Sequence, residues 1–585
     1  MVFSTKREED AIERRAGAVC TATGAVSAVK DGSVVAISGF NMANTPEYLI
    51  LELHRQYVRT GHPNSLFVIT DALPAIPDRG LDVVAKDLSQ REDGRFIRGI
   101  SVPFFGFSPW LQRLVKDDVV EAYSWPMGVA AYWFREVASG RPGVISKIGI
   151  DTAIDPRKGG GKVNRLATAR NTCTVKRIKI GSQDYLLYEA PKPDVALIRA
   201  STADRRTNLT MEDEAIRGTV LSMAQATKAH PRPGIVIAQV RNLNRGDANP
   251  RAVEVPGPLV DMVVVSPSEY HWQVGSTAYD PAFSAGGKPT QKMEQGPMDP
   301  VEQVIARRVL MGLGEAAEQK GAPYIVNLGI GIPALVSTLA VAEGLEDRIV
   351  TVVESGQWGG MALPGVDFGA AVGPFALSTM PDMFSNFEGG IIDAASLGFL
   401  QVGRNGDVNP STLPGRIYGP GGFPVIAGGS PRIYFAGAFT ARGPKITVEG
   451  GKLKIAKDGE VKKFVRRVYK NFFSGRQALK FGKEVAYVTE RAVFRLTPSG
   501  LELTELAPGA DIERDVLQAM EYKPAVSKKL REMDPALFSP GPMRLAKRLG
   551  LKQRFGAGRR GAAPSSASGA TRPGSALPPS GNTAG

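Results

Sequence analysis

Two cysteines and four histidines in a chain of 585 residues leave little material for a disulfide scaffold or a metal centre. Cys20 and Cys173 cannot build a disulfide framework, and so sparse a thiol content fits a reducing, cytoplasmic setting. His54, His62, His230 and His271 stand at no ligand spacing and no C-x-x-C pair occurs, so no metal site is expected. There is no run of about 18 apolar residues, hence no expected membrane span. The opening MVFSTKREEDAIERR carries its charges without an apolar core and does not read as a secretory signal. A G-x-x-x-x-G-K-[ST] loop is also missing, which removes the usual phosphate cradle of ATP-hydrolysing enzymes.

Acidic residues are absent from Gly541 to the end, where eight basic side chains stand: Arg544, Lys547, Arg548, Lys552, Arg554, Arg559, Arg560 and Arg572. Eight of the fourteen net positive charges therefore belong to this tail, and the rest of the chain carries only six. A body so mildly basic suits an anionic small ligand and does not call for nucleic acid. Within the tail, Met543–Phe555 has the pattern of a short basic amphipathic helix. The Gly/Ala/Pro/Ser stretch from Gly556 has too little apolar surface to order itself.

The length exceeds what one core supports and calls for three to four domains, or two large ones. Charged residues at helical spacing occupy residues 6–30. Val34–Ile37 then reads as a strand ending in Ser38-Gly39-Phe40, and Thr45-Pro46-Glu47 supplies an N-cap, a first-turn proline and a first-turn acid for a helix to about Arg59. The same unit returns some 290 residues later: Tyr324–Val326 as strand, Asn327-Leu328-Gly329-Ile330-Gly331-Ile332 as turn, and Pro333 opening a helix to about Ala342. A period that long fits two related α/β halves joined end to end. Leu66–Thr70, Asp194–Ile198, Ile235–Val240 and Asp261–Val265 are further apolar runs, separated by helix-forming stretches such as Met211–Lys228, which is the pattern of a largely parallel sheet. The spacing predicts a helix over Pro300–Gln319, strands over Leu397–Val402, Arg432–Phe435 and Lys445–Val448, and a turn at Arg404–Asp407. Ser284–Asp299 is polar and glycine-rich, and the boundaries follow: 1–285, a linker 286–299, 300–537 and a tail 538–585.

The strongest chemical signal is RIVTVVESGQWGG, 348–360. Ile349–Val353 are all β-branched, as expected of a strand buried on both faces, and Glu354 follows at its carboxyl end, the edge where open α/β sheets bind ligands. A solvated loop acid is the plain alternative. Gly329-x-Gly331 is a weak dinucleotide signal, since Ala334 replaces the third glycine of that fingerprint. The turn can still present amides to an anion at a helix start. In Tyr418-Gly-Pro-Gly-Gly-Phe423, Gly421 and Gly422 leave their amides open to a carbonyl oxygen, as an oxyanion hole requires. A carboxylate, two glycine loops and no metal point to nucleophilic carboxylate chemistry.

These blocks resemble the family I CoA-transferases in their fused single-chain form, the acetate, propionate or 3-oxoacid type. VVESGQWGG, NLGIGIP, GPGGF and VVAISGF…TPE carry the likeness, together with IGIDTAIDPRKGGGKVN, DVALIRASTADRRTNLTMEDEA and VPGPLVDMVVV, over about Ala25 to Arg442. The resemblance implies two related open α/β domains in tandem with the active site between them, Glu354 as nucleophile, and CoA passed through a glutamyl-CoA thioester between acyl-CoA and a free carboxylic acid. No cofactor beyond CoA itself is implied, and a homo-oligomer is. Asn327, Gly329 and Gly331 match the turn lining the site; Gly421 and Gly422 match the loop at the reacting carbonyl; Gly39, Met127 and Gly359 match its surroundings. The chain departs from the family at Met127, where a glutamine within Pro-Gln-Gly is usual, at Gln357-Trp358, where smaller residues are usual, and in the aromatic run Val102–Trp110. The last admits a larger or more apolar acyl group than acetate, or simply a core cluster. A non-catalytic acyl-CoA-binding relative and a sugar-phosphate isomerase on a related fold are the alternatives.

Overall fold

The computed structural model describes residues 18–287 and 298–551. The predicted linker 286–299, the basic tail and the charged amino-terminal stretch fall largely outside those residues.

Two sheets organise the chain. In the first, β1 (Val34–Ile37), β2 (Leu66–Thr70), β3 (Ile97–Ser101), β4 (Glu121–Tyr123), β5 (Val195–Ala203), β6 (Leu209–Thr210), β7 (Ile235–Leu243), β8 (Val253–Val255) and β9 (Met262–Val265) assemble around a parallel core in the order β9-β7-β5-β1-β2-β3-β4. The short β6 adds antiparallel to the far end of β5, and β8 adds antiparallel to β6. The second sheet contains β10 (Tyr324–Leu328), β11 (Ile349–Val352), β12 (Gln357–Trp358), β13 (Ala376–Leu377), β14 (Ala394–Leu397), β15 (Arg432–Ala436), β16 (Glu484–Val488), β17 (Ala492–Thr497), β18 (Gly500–Leu506) and β19 (Ala525–Glu532). Its order is β13-β12-β11-β10-β14-β15-β16-β17-β18-β19, parallel from β11 to β16.

The parallel cores correspond strand for strand: β2-β1-β5-β7-β9 in one half, β11-β10-β14-β15-β16 in the other. In each, the central strand feeds a glycine turn and a helix, α1 (Glu47–Thr60) after β1 and α4 (Ile332–Ala342) after β10. The halves diverge on the flank of β2 and β11. The first adds two parallel strands there; the second folds back through the antiparallel β12 and β13. One apolar cluster runs through both halves. In it α2 (Met127–Ala138) packs against Phe384, which leaves less than van der Waals room beside Gly128.

Several elements differ from the sequence expectation. Thr45 does not cap α1: the first helical residue is Glu47, Pro46 occupies the cap without a side-chain bond, and Thr45 Oγ1 donates to Asn41 O at 2.6 Å. Of Met211–Lys228 only Val220–Lys228 is helical (α3). The segment before it is drawn into turns because buried Glu214 accepts from Arg199 Nε at 3.0 Å, with His271 Nε2 at 3.2 Å. Leu397–Val402 is not one strand. β14 stops at Leu397, and Gln401–Gly403 begins a separate hairpin around the Asn-Gly turn, paired with Val408–Asn409. Within the described residues the basic carboxyl-terminal helix spans only Leu545–Arg548.

Candidate active site

The strand before Glu354 is half-buried, not sealed on both faces: Ile349 and Val352 face the core while Val350 and Thr351 are partly open. It also stops earlier than expected, because Val353–Gly356 form the tip of a tight hairpin between β11 and β12. Val353 N–H donates to Gln357 O at 3.1 Å and Gly356 N–H to Val353 O at 3.0 Å. Only glycine suits position 356. Its φ is +124°, and a Cβ would stand 2.1 Å from Ser378 O. The hairpin is pinned from below by Gln357, whose Nε2 donates to Gly369 O at 2.6 Å and Ala215 O at 3.1 Å. Trp358 Nε1 donates to Ser378 Oγ at 2.9 Å. Gln357 and Trp358, unusual beside such a carboxylate, are therefore scaffold and do not line the cavity.

The hairpin tip turns the Glu354 carboxyl into a cavity of about 380 Å³ between the halves. Glu354 is 7% exposed. Burial pushes its pKa up to about 7, against a partial pull downwards from its own backbone amide and from the Asn327 side chain. Asn327, penultimate in β10, donates through Nδ2 to Val352 O at 3.1 Å, which ties β10 to the end of β11; its buried Oδ1 has no partner.

Gly421 and Gly422 come from the loop ahead of α5 (Phe423–Gly429), and both line the cavity. They are not equivalent. Gly421 N–H is engaged, donating to Pro103 O at 3.0 Å, and Gly421 O accepts from Met127 N–H at 2.8 Å. The expected pair of converging donors is thus reduced to one: among the described residues nothing accepts from Gly422 N–H. A Cβ at Gly422 would lie 3.2 Å from Glu354 Oε1, so the absence of a side chain is what brings this backbone to the carboxylate.

The other sequence candidates divide. Asn327, Gly329 and Met127 line the cavity with Glu354. Gly331 caps α4 and faces open space, Gly39 is packed beneath Thr45, and Gly359 lies against the Phe375 ring, so these three are not in its lining. From the run Val102–Trp110, Phe104 and Phe107 reach the cavity while Phe105 is core. Phe40, Asn41, Leu73, Phe368, Phe399 and Phe423 complete the walls; sequence reasoning missed them, although Phe40 directly follows the first strand-turn unit.

Two further hollows adjoin. A cavity of about 300 Å³ shares Gly419 and Pro420 with the first and holds Lys116, Lys162, Arg416 and Lys470. It opens through Lys162, Tyr469 and Lys470 into a groove of about 910 Å³ that adds Lys158, Arg404, Arg466 and Arg467. Burial lowers the pKa of Lys470, with no carboxylate opposing it. Among the described residues no helix is long and apolar enough to cross a membrane, and no cluster of His, Cys, Asp and Glu could hold a metal ion.

Comparison with known proteins gives consistent matches. The family described as Coenzyme A transferase matches residues 19–266. The chain is 34% identical over 525 residues to the caffeate CoA-transferase of Acetobacterium woodii, covering 88% of this chain and 96% of that one. It is 35% identical over 508 residues to acetate CoA-transferase YdiF of Escherichia coli K12, covering 85% and 90%. The crystal structure of acyl-CoA transferase YdiF from E. coli O157:H7, a thioester complex with CoA, superposes with a TM-score of 0.79 at 33% identity, covering 90% of this chain and 97% of that one.

Proposed function

The chain belongs to the coenzyme A transferases, enzymes that move CoA between an acyl-CoA and a free carboxylic acid, and we propose that it does so through Glu354. The observation that carries this assignment is a single carboxylate, buried at a hairpin tip, in a cavity closed by both halves and within reach of the Gly422 backbone. A desolvated carboxylate is a stronger nucleophile than a hydrated one, and no water-rich surface competes for the intermediate.

In the first step a Glu354 oxygen attacks the thioester carbonyl and CoA thiolate leaves, giving an acyl-glutamyl anhydride. The thiolate then attacks the glutamyl carbonyl and expels the first acid, leaving a glutamyl-CoA thioester. An incoming carboxylate reverses both steps and carries CoA away. Gly422 N–H and Asn327 Nδ2 are the donors for the charge that develops on the carbonyl oxygens. Gly421 acts differently, as a rung holding the loop to Pro103 and Met127. The thioester bond is exchanged, not hydrolysed, so the reaction needs no ATP.

CoA brings several phosphate charges. We read the cation-lined cavity and groove as its route, with Lys162, Arg416 and Lys470 nearest the reaction cavity and the phosphates towards Arg404, Arg466 and Arg467. Among the described residues, no lysine, arginine or histidine lines the reaction cavity, which argues against an isomerase acting on a sugar phosphate. We further read residues 1–285 and 300–537 as the two domains, the enzyme as cytoplasmic, and its native state as a homo-oligomer.

The test is intact mass after incubation with acetyl-CoA or propionyl-CoA, followed by hydroxylamine or borohydride trapping and peptide mapping, with Glu354→Ala as control. A CoA adduct on the Glu354 peptide, absent from the variant, is expected. Binding of acyl-CoA without any adduct refutes the assignment.

A further inference from the structure

The walls around Glu354 are more aromatic than transfer to acetate requires. Six phenylalanines line the cavity: Phe40, Phe104, Phe107, Phe368, Phe399 and Phe423. Four of them form two pairs. Phe104 meets Phe107 edge-on with centroids 5.6 Å apart and stacks with Tyr418 at 6.4 Å, while Phe40 and Phe368, one from each half, lie 6.2 Å apart. Phe104 and Phe107 are partly open to the cavity. At about 380 Å³ the space falls within the range of small-molecule pockets.

The polar inventory is short, and much of it is already engaged. Among the described residues, Glu354 is the only charged one in the lining. Asn41 Nδ2 donates to Phe368 O, Asn327 Nδ2 to Val352 O, and Ser411 Oγ to Gly419 O. The buried cation on this side, Lys463, sits behind Phe399 with Nζ 4.1 Å from the ring centroid and is not part of the lining. A second carboxylate on the substrate would thus enter an apolar space without a counter-charge, which is strongly unfavourable.

From this we propose that the acyl site takes a bulky, uncharged-chain monocarboxylic acid, an aryl-substituted one such as 3-phenylpropanoate fitting best, and discriminates against acetate and against dicarboxylates. The proposal rests on the reading of Glu354 as the CoA carrier. Edge and face contacts from the phenylalanine pairs give an aromatic ring more than its area alone would. Each buried methylene contributes a factor of about four, and a buried ring tens-fold.

The experiment isolates the second half-reaction. The enzyme is charged with CoA from propionyl-CoA, freed of small molecules, and discharged by acetate, hexanoate, 3-phenylpropanoate or succinate, with the rate per acid concentration followed by loss of the adduct mass. 3-Phenylpropanoate is expected to exceed acetate at least about tenfold, with hexanoate between them and succinate below acetate. Phe107→Lys, at a partly open position, is expected to lower the ratio of 3-phenylpropanoate to succinate at least about tenfold by supplying the missing counter-charge. Acetate or succinate discharging as fast as 3-phenylpropanoate overturns the proposal while leaving CoA transfer intact. An enzyme that never charges, or that no acid discharges, overturns the CoA-carrier reading itself.

Discussion

Replacing Glu354 by glutamine tests the central carboxylate through two readouts that a surface acid would not move. The side chain keeps its size and loses its charge. Holding a carboxyl near 7 instead of its ordinary 4.5 means that burial disfavours the ionised form by about 3 kcal/mol. The sign follows from proton counting: between 4.5 and 7 the folded protein binds the proton more tightly than the unfolded chain, so this group's contribution to stability falls as pH rises through that window. Below 4.5 the cost is absent, and above 7 it is complete. Glu354→Gln therefore unfolds at nearly the parent's temperature at pH 5 and a few degrees higher at pH 8. It forms no CoA adduct at either pH. Differential scanning calorimetry of both proteins across pH 5–8, with intact mass on the same samples, makes the measurement. A constant gap between variant and parent at all pH values would refute the burial argument, and an adduct on the variant would refute the chemistry.

The rate of the acyl-CoA half-reaction is expected to rise with pH and level off above about 7, because only the ionised Glu354 attacks; stopped-flow adduct formation that is flat from pH 5.5 to 8.5 would contradict this. Gly422→Ala places a methyl 3.2 Å from Glu354 Oε1 and 3.1 Å from Ile426 Cδ1, displacing the donor from the carboxylate, and is expected to slow adduct formation about 10²–10³-fold in a protein of normal thermal stability. Lys162→Glu combined with Arg416→Glu is expected to raise KM for acyl-CoA about tenfold or more and to flatten its dependence on salt, with steady-state kinetics at two ionic strengths as the check.

Much of the site was legible from local pattern. The β-branched run ending in Glu354, the NLGIG turn and the GPGGF loop each lie within a dozen residues, and backbone rules suffice to place them at the ends of strands and helices. What escaped is non-local. Phe40 and Leu73 line one cavity with Phe368, which lies about 300 residues further along the chain, and no periodicity announces that meeting. The unequal roles of Gly421 and Gly422 depend on where Pro103 O falls, a fact of docking and not of sequence. The helix expected over Met211–Lys228 failed for a related reason. Its first half has helical propensity, but a buried bond from Glu214 to Arg199 in the neighbouring strand outweighs it.

The Gly421 rung ties reactivity to the act of folding. Pro103 and Met127 belong to one half, Glu354 and Gly421 to the other, so the cavity around the proposed nucleophile exists only where the halves meet. Without that contact the walls that bury Glu354 would be missing, and with them the burial that raises its pKa. The same contact closes the aromatic walls, with Phe40, Phe104 and Phe107 from one half and Phe368, Phe399 and Phe423 from the other. On the Glu354 reading, a chain whose halves have not docked is expected to form no CoA adduct.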